Sequence, residues 1–320
     1  MGLIKLRQQV LDHPMETINL STENLPEAAE WPLRLYRKSL LKQAKLKNML
    51  HLMPAPGGKA CIDVGGERGV ISYLLRQKGG TWQSVESTEK AVSTSALLVG
   101  EDHVHLVEDN KLPFDDQVAD MIVIVNYLEL VMDDVGFIQE CHRVLKDEGV
   151  IVVNVPFSKR MSWIRGIRKL LGLNDMMRGQ VRPGYSETDL YSVLKNGFDI
   201  IHTKTYNKFF VELVDTGVQF LGTFMQGRQE EGVKGNLIDQ EDFSRYIKAH
   251  RLYSIIYPFQ WLAAKLDLLL FWTQGHSLVA QARRRPWKPR LEVKIADGRS
   301  IAEASIRTKI GTAADLKQRI

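Results

Sequence analysis

KACIDVGGERG, residues Lys59 to Gly69, decides the fold of this 320-residue chain. Ala60 to Val64 is an apolar run of strand length, and the pair Gly65 and Gly66 closes it. Beyond Gly69, the residues Val70, Ile71, Leu74 and Leu75 recur at helical spacing until Gly79 and Gly80 stop them. The stretch predicts strand, glycine turn, helix. Such a turn brings bare backbone and the N–H groups of a helix N-terminus to one point, as a nucleotide-like ligand requires. It also arises for steric reasons alone, so the next acid matters. Trp82 to Val85 makes a second strand ending in Glu86, 17 residues beyond Gly69. That is close to the roughly 20-residue offset at which an acid takes a ribose diol.

Working outward, Thr88 to Leu98 reads as a helix and Val104 to Val107 as a third strand ending at Glu108-Asp109-Asn110. Met121 to Val125 is apolar without interruption, as a central parallel strand buried on both faces must be. It releases Asn126-Tyr127-Leu128-Glu129-Leu130 at its carboxyl end, where open α/β sheets keep their ligands. Asp133 and Asp134 cap a helix whose Phe137, Ile138, Cys141, Val144 and Leu145 face the sheet as far as Gly149, and Val150 to Val155 follows as a fifth strand. Ser186 to Asp189 has the form of a capping box, opening a helix that Gly197 ends before a sixth strand, Phe198 to Thr205. His142 is expected to be a surface or core histidine rather than a catalyst, and His202 a paired core histidine, since no second metal-type residue is spaced with it.

Several of these segments, in this order, resemble one family. DVGGERG (63–69), SVESTEKAV (84–92), VEDNKLPFDDQVADMIVIVNYLELV (107–131) and HRVLKDEGVIVVNVP (142–156) are similar to the type 11 methyltransferase-domain family of class I S-adenosylmethionine-dependent methyltransferases. The similarity runs from about Cys61 to Pro156, with a looser continuation to Phe210. It implies a Rossmann-like, doubly wound α/β fold: a mostly parallel seven-stranded sheet whose last, antiparallel strand falls at 276–283, after a helical insertion at 207–275. The methyltransferase core then occupies 59–206, preceded by a leader and covering helix at 1–58 and followed by a basic appendage at 284–320. The implied cofactor is S-adenosylmethionine, with no metal. Gly65, Gly66 and Gly69 would lie against its methionine and ribose, Glu86 on the ribose hydroxyls, and Asp109 with Asn110 near adenine. Asp63 would orient the turn and meet the ammonium group, and Asn126 would stand with Tyr127 beside the transferable methyl. Tyr127 and Tyr185 are the acceptor-side, candidate catalytic residues.

Two departures stand out. Glu67 occupies a place where the family carries glycine, and Leu130 replaces the histidine of a Leu-Glu-His run. A cationic cofactor tolerates the Glu67 charge better than a pyrophosphate would, which disfavours NAD. With Leu130 in place, no imidazole base is available there. A non-catalytic S-adenosylmethionine-binding or scaffold relative is therefore the alternative to an enzyme.

Composition narrows the partners. With 44% hydrophobic and 25% charged residues, the chain is ordinary globular material. Cys61 and Cys141 have no metal-ligand spacing and suit a reducing compartment; the N-terminus lacks the apolar core of a signal peptide, so cytoplasmic residence is expected. Residues 283 to 320 hold eleven Lys and Arg against four acids, leaving the rest nearly neutral, and no Asn-Pro-Pro-aromatic motif follows the fourth strand, so nucleic acid is disfavoured. Arg34 to Lys47 carries only basic charges, on a helix read as Leu33 to Met53 that covers the sheet. The basic stretch from Ser158 to Gly184, with Met176 and Met177, falls where related enzymes place acceptor-facing loops.

The insertion holds two apolar segments, Phe209 to Met225 and Tyr253 to Trp272. Pro258, Gln260, Lys265 and Asp267 interrupt the second, and each charge at the centre of a span costs about 2.5–3.5 kcal/mol, so crossing a bilayer is not expected. Two readings stay open. In one, Tyr253, Tyr257, Trp261 and Trp272 sit at the headgroups of an anionic inner membrane face with Arg283 to Arg290 beside them, and the acceptor is lipid-like. In the other the segment is a helical cap or a dimer surface, and the acceptor is any small molecule.

Overall fold

The computed structural model describes residues 27–159, 162–173, 180–226, 243–270 and 272–288. Seven strands, β1 (Ala60–Val64), β2 (Thr81–Glu86), β3 (Val104–Leu106), β4 (Ala119–Val125), β5 (Leu145–Pro156), β6 (Phe198–Tyr206) and β7 (Ser277–Arg284), form one sheet in the order β3-β2-β1-β4-β5-β7-β6. Strands β1 to β5 pair in parallel, whereas β7 lies antiparallel between β5 and β6. The strand order reverses between β1 and β4, the switch point outside whose carboxyl ends open α/β sheets bind ligands.

Alternation along the strands feeds two cores. Ile62, Val64, Ile122, Ile124, Ile151 and Val153 meet Phe137, Ile138 and Cys141 of α5 (Asp134–Val144) and Leu190 and Leu194 of α7 (Glu187–Leu194). Cys61, Met121, Val123 and Val152 turn the other way, onto Leu33 of α1 (Glu27–Arg37), Leu46 and Met49 of α2 (Leu40–Leu52) and Ile71 and Leu74 of α3 (Val70–Arg76). Helix α4 (Glu89–Val99), capped by Thr88, joins β2 to β3. The doubly wound fold with an antiparallel last strand is as expected.

Four expectations need correcting. The covering segment is two helices, because Ser39 leaves helical geometry and caps α2 through Lys42 N. The helix after Asp133 stops at Val144 and β5 begins at once, five residues earlier than expected, with a register shift between Ala119 and Met121 on its partner strand. His202 is exposed on the edge strand β6 rather than packed; His142 is buried, its Nε2 2.8 Å from the Arg285 carbonyl oxygen. The arginines at the end of β7 do not join the insertion either. Arg283 pairs with Glu148, Arg284 with Asp147 and Arg285 with Asp199, at the far end of a strand whose seven steps of about 3.3 Å separate them from Ser277. The leader before Glu27, Met176 with Met177, and the tail beyond Lys288 lie outside the described residues.

Between β5 and β7 come α6 (Trp163–Leu170), α7, and the insertion helices α8 (Phe209–Gln226) and α9 (Phe243–Leu269). Among the described residues no helix is long and apolar enough to cross a membrane.

Candidate active site

The glycine turn after β1 is forced by its neighbours. Gly65 sits at φ +75, and a Cβ there would lie 2.9 Å from the Val125 carbonyl oxygen. Gly69, at φ +83, caps α3 and would drive a Cβ to 2.8 Å from Ser95 Cα. A side chain on Gly66 would strike Ser72 and Asp63. The turn is therefore clasped between β4 and α4.

Asp63 does not face that edge. It is 0% exposed; it accepts hydrogen bonds from Ser72 Oγ and, at 2.9 Å, from Ser84 Oγ, with Arg76 Nη1 at 3.4 Å. Burial pushes its pKa up, opposed by the guanidinium and the two hydroxyls. The expected contact with a cofactor ammonium is replaced by an internal ion pair that fixes the turn to β2 and α3.

Glu67 answers the first departure. It adopts φ +53 and Arg68 φ +59, left-handed geometry that costs an ordinary residue about 1–2 kcal/mol and that glycine takes freely. The carboxylate turns to α2, where Lys45 pairs with it directly and Lys42 lies 3.4 Å away. Its charge is thus met by the covering helix and it is not among the residues lining the crevice.

That crevice, about 530 Å³, opens at the carboxyl ends of β2, β3 and β4 and is lined by Ser87, Val107, Asp109, Asn110, Tyr127, Leu130, Val131 and Met132. Its size is in the range that holds a small-molecule ligand. Asp109 and Asn110 both take left-handed backbone, at φ +49 and +60, in a turn closed by Lys111 N and the Glu108 carbonyl at 2.8 Å. Aspartate and asparagine accept that conformation more readily than most residues. Glu86 is buried at the end of β2, where Ser95 Oγ donates to its Oε1 at 2.9 Å. Tyr127 forms the buried floor against Phe137; burial, with Cys141 and Glu86 adding, pushes its hydroxyl up to about 12, so it is a donor at neutral pH.

Two other expected residues are placed differently. Asn126, at φ +49, accepts from Asn154 Nδ2 at 2.8 Å, and Tyr206 closes that chain by donating to Asn154, so Asn126 ties β4 to β5 and β6. Tyr185 is buried beneath the crevice: its hydroxyl lies 3.1 Å from the Leu128 carbonyl and 2.8 Å from Asp134 Oδ2, and it also takes a bond from Arg182. That occupied hydroxyl braces the turn after β4 instead of meeting an acceptor. Among the described residues no group of three His, Cys, Asp or Glu converges as metal ligands would.

Residues 62–153, from β1 to β5, match the family model described as "Methyltransferase domain". The chain therefore carries a class I methyltransferase domain, and S-adenosylmethionine is its cofactor. No curated protein sequence matches the chain. Among solved structures, the cyclase SpnF is 17% identical over 76% of this chain and 80% of its own, with a TM-score of 0.50. An S-adenosylmethionine-dependent methyltransferase of Mesorhizobium loti is 17% identical over 75% of this chain and 98% of its own, with a TM-score of 0.47. One of Thermotoga maritima is 16% identical over 81% and 95%, with a TM-score of 0.48.

The residues present fit that cofactor. Asp109 and Asn110 supply an acceptor and a donor for a purine edge, with the apolar walls of Val107, Leu130 and Val131 close by. Glu86, buried at the end of β2, would meet the ribose and the Gly65–Gly69 turn the methionine part, although neither is among the residues lining the crevice. Asp63 stands outside the set because its carboxylate is committed to Ser72, Ser84 and Arg76.

Proposed function

We propose that this domain methylates a lipid-like acceptor presented at an anionic membrane surface, without a metal. The observation carrying this reading is the inverted pattern of α9. Its buried stripe is Gln260, Ala263 and Asp267: Gln260 accepts from Leu40 N at 3.3 Å, and Asp267 from Phe210 N at 2.8 Å, holding the start of α8. Its outer face carries Ile255, Phe259 (63% exposed), Leu262 and Leu269, and Trp272 (69% exposed) follows just beyond. A helix that buries Gln260 and Asp267 and exposes several large apolar side chains, with Arg251 and Lys265 also outward, is covering the domain on one side and addressing an apolar partner on the other.

Helix α6 packs on α8, where Arg168 bonds Glu212 and Thr216. Its Trp163 and Leu170 are exposed, and its other charges, Arg165 and Lys169, are basic. Ser162, at its start, lies 3.4 Å from His276, and Lys159 bonds to the Gln274 carbonyl, so the basic helix stands beside the end of α9. Both adjoin the end of β5 and the start of β7, the sheet edge onto which the crevice opens. Aromatic and basic residues together are the composition of an interfacial anchor on anionic lipid. Bound in the crevice, S-adenosylmethionine supplies an electrophilic methyl with a neutral thioether as leaving group, chemistry that needs positioning more than a metal. The alternative of a scaffold without turnover now leans on Leu130 alone, because Glu67 is paired away from the crevice.

Flotation tests this reading. The full chain should rise with vesicles containing 30% phosphatidylglycerol. The variant Phe259→Ser/Leu262→Ser/Leu269→Ser should be recovered at least roughly tenfold less, since each buried apolar side chain is worth about 1.5–3 kcal/mol. Equal recovery of the two would discard the membrane surface and leave a soluble acceptor.

A further inference from the structure

Glu129 lies in the short turn after β4 and is 1% exposed, yet among the described residues neither of its carboxylate oxygens has a hydrogen-bond partner. Its backbone is well used: the carbonyl accepts from Val181 N at 3.0 Å and Arg182 N at 3.4 Å. The guanidinium that this pairing brings to the turn is committed elsewhere, to Asp134, to Tyr185 and, at 2.9 Å, to the Met132 carbonyl. A carboxylate withdrawn from water with nothing to bond it costs several kcal/mol, and folded chains keep such groups where a ligand completes them. Tyr127, two residues before Glu129, and the run Leu130 to Met132, directly after it, line the crevice, while Leu128 packs in the core and Glu129 itself is not among the lining residues. Leu130 itself stands where a histidine was expected, so the turn offers no other base.

We propose that Glu129 binds the methyl acceptor, taking a hydrogen bond from its O–H or N–H group. This rests on the methyltransferase reading above and narrows it to protic acceptors: an alcohol, a phenol or an amine. Glu129 receives the acceptor's proton as the acceptor atom bonds to the donated methyl carbon and the carbon–sulfur pair stays with the departing thioether. Water then takes the proton away. Tyr185, Arg182 and Asp134 hold the turn that carries it.

The test uses the full chain and Glu129→Gln, with three readouts. In thermal unfolding without ligand, the variant should melt no lower than the parent, because an amide avoids the burial of an unpaired charge. A markedly lower melting temperature would show that the carboxylate already has partners and would overturn the proposal. Calorimetry with S-adenosylmethionine should give affinities within threefold of each other. Loss of affinity in the variant alone would move Glu129 to the cofactor, whereas no binding by either protein would instead remove the methyltransferase reading. Transfer of labelled methyl into the extract fraction that the parent labels should fall by roughly 100-fold or more, the usual scale for a proton acceptor. Transfer at the parental rate would overturn the assignment, and so would a parent that binds S-adenosylmethionine yet labels no fraction.

Discussion

Asp63→Asn should destabilise the chain by about 3–5 kcal/mol, the usual consequence of removing one partner from a buried ion pair. Arg76 would lose its counter-ion while remaining enclosed by Ser84, the Trp82 carbonyl and the Ser72 carbonyl. An amide cannot accept from two hydroxyls and a guanidinium as the carboxylate does. Urea unfolding measures the loss, and Asp63→Asn with Arg76→Met should recover at least half of it, because a paired deletion leaves no orphaned charge. A single-variant loss under about 1 kcal/mol would mean that Asp63 is uncommitted. The expected contact with the cofactor ammonium would then return.

Gly69→Ala should cost about 2–4 kcal/mol, from an unfavourable left-handed alanine and an overpacked contact. The new Cβ would lie 2.8 Å from Ser95 Cα and 3.1 Å from its carbonyl oxygen, both backbone atoms, so α4 must shift. Ser95 also holds Glu86, the proposed ribose acid, at the end of β2. Affinity for S-adenosylmethionine should therefore fall with stability, by roughly tenfold, the value of one hydrogen bond to a charged group. Gly57→Ala is the control: nothing lies within 4 Å of its Cβ position, and neither quantity should move. If Gly69→Ala behaves like the control, the turn is not clasped as described.

The sheet and the crevice were legible in the sequence to different depths. Strand, glycine turn and helix follow from local periodicity, and Glu86 and Asp109 fall at strand ends because buried parallel strands fix where the chain must emerge. The partners of Asp63 were not legible. Arg76 is 13 residues away on a helix and Ser84 is on the neighbouring strand, so only the pairing of β1 with β2 brings them together. Tyr185 was misread for the same reason, its Asp134 partner being 51 residues distant. Ser39 was a readable cap, but hydrophobic spacing continued across it and masked the break. For α9, composition showed an amphipathic segment without showing which face turns inward, and Gln260 and Asp267 settle that through bonds to Leu40 and Phe210. The basic end of β7 was grouped with the insertion by closeness in sequence, although an antiparallel strand carries it to the opposite edge. Glu129 could not be singled out at all, since a missing partner leaves no trace in a sequence.

The measurement closest to the central claim is titration of S-adenosylmethionine into the folded full-length chain by calorimetry, with Glu86→Gln beside it. One-to-one binding is expected, weakened by roughly 10–100-fold in the variant as a charge-assisted bond to the ribose is lost. A folded chain that takes up no heat, or a variant that binds as tightly as the parent, would contradict the site described above.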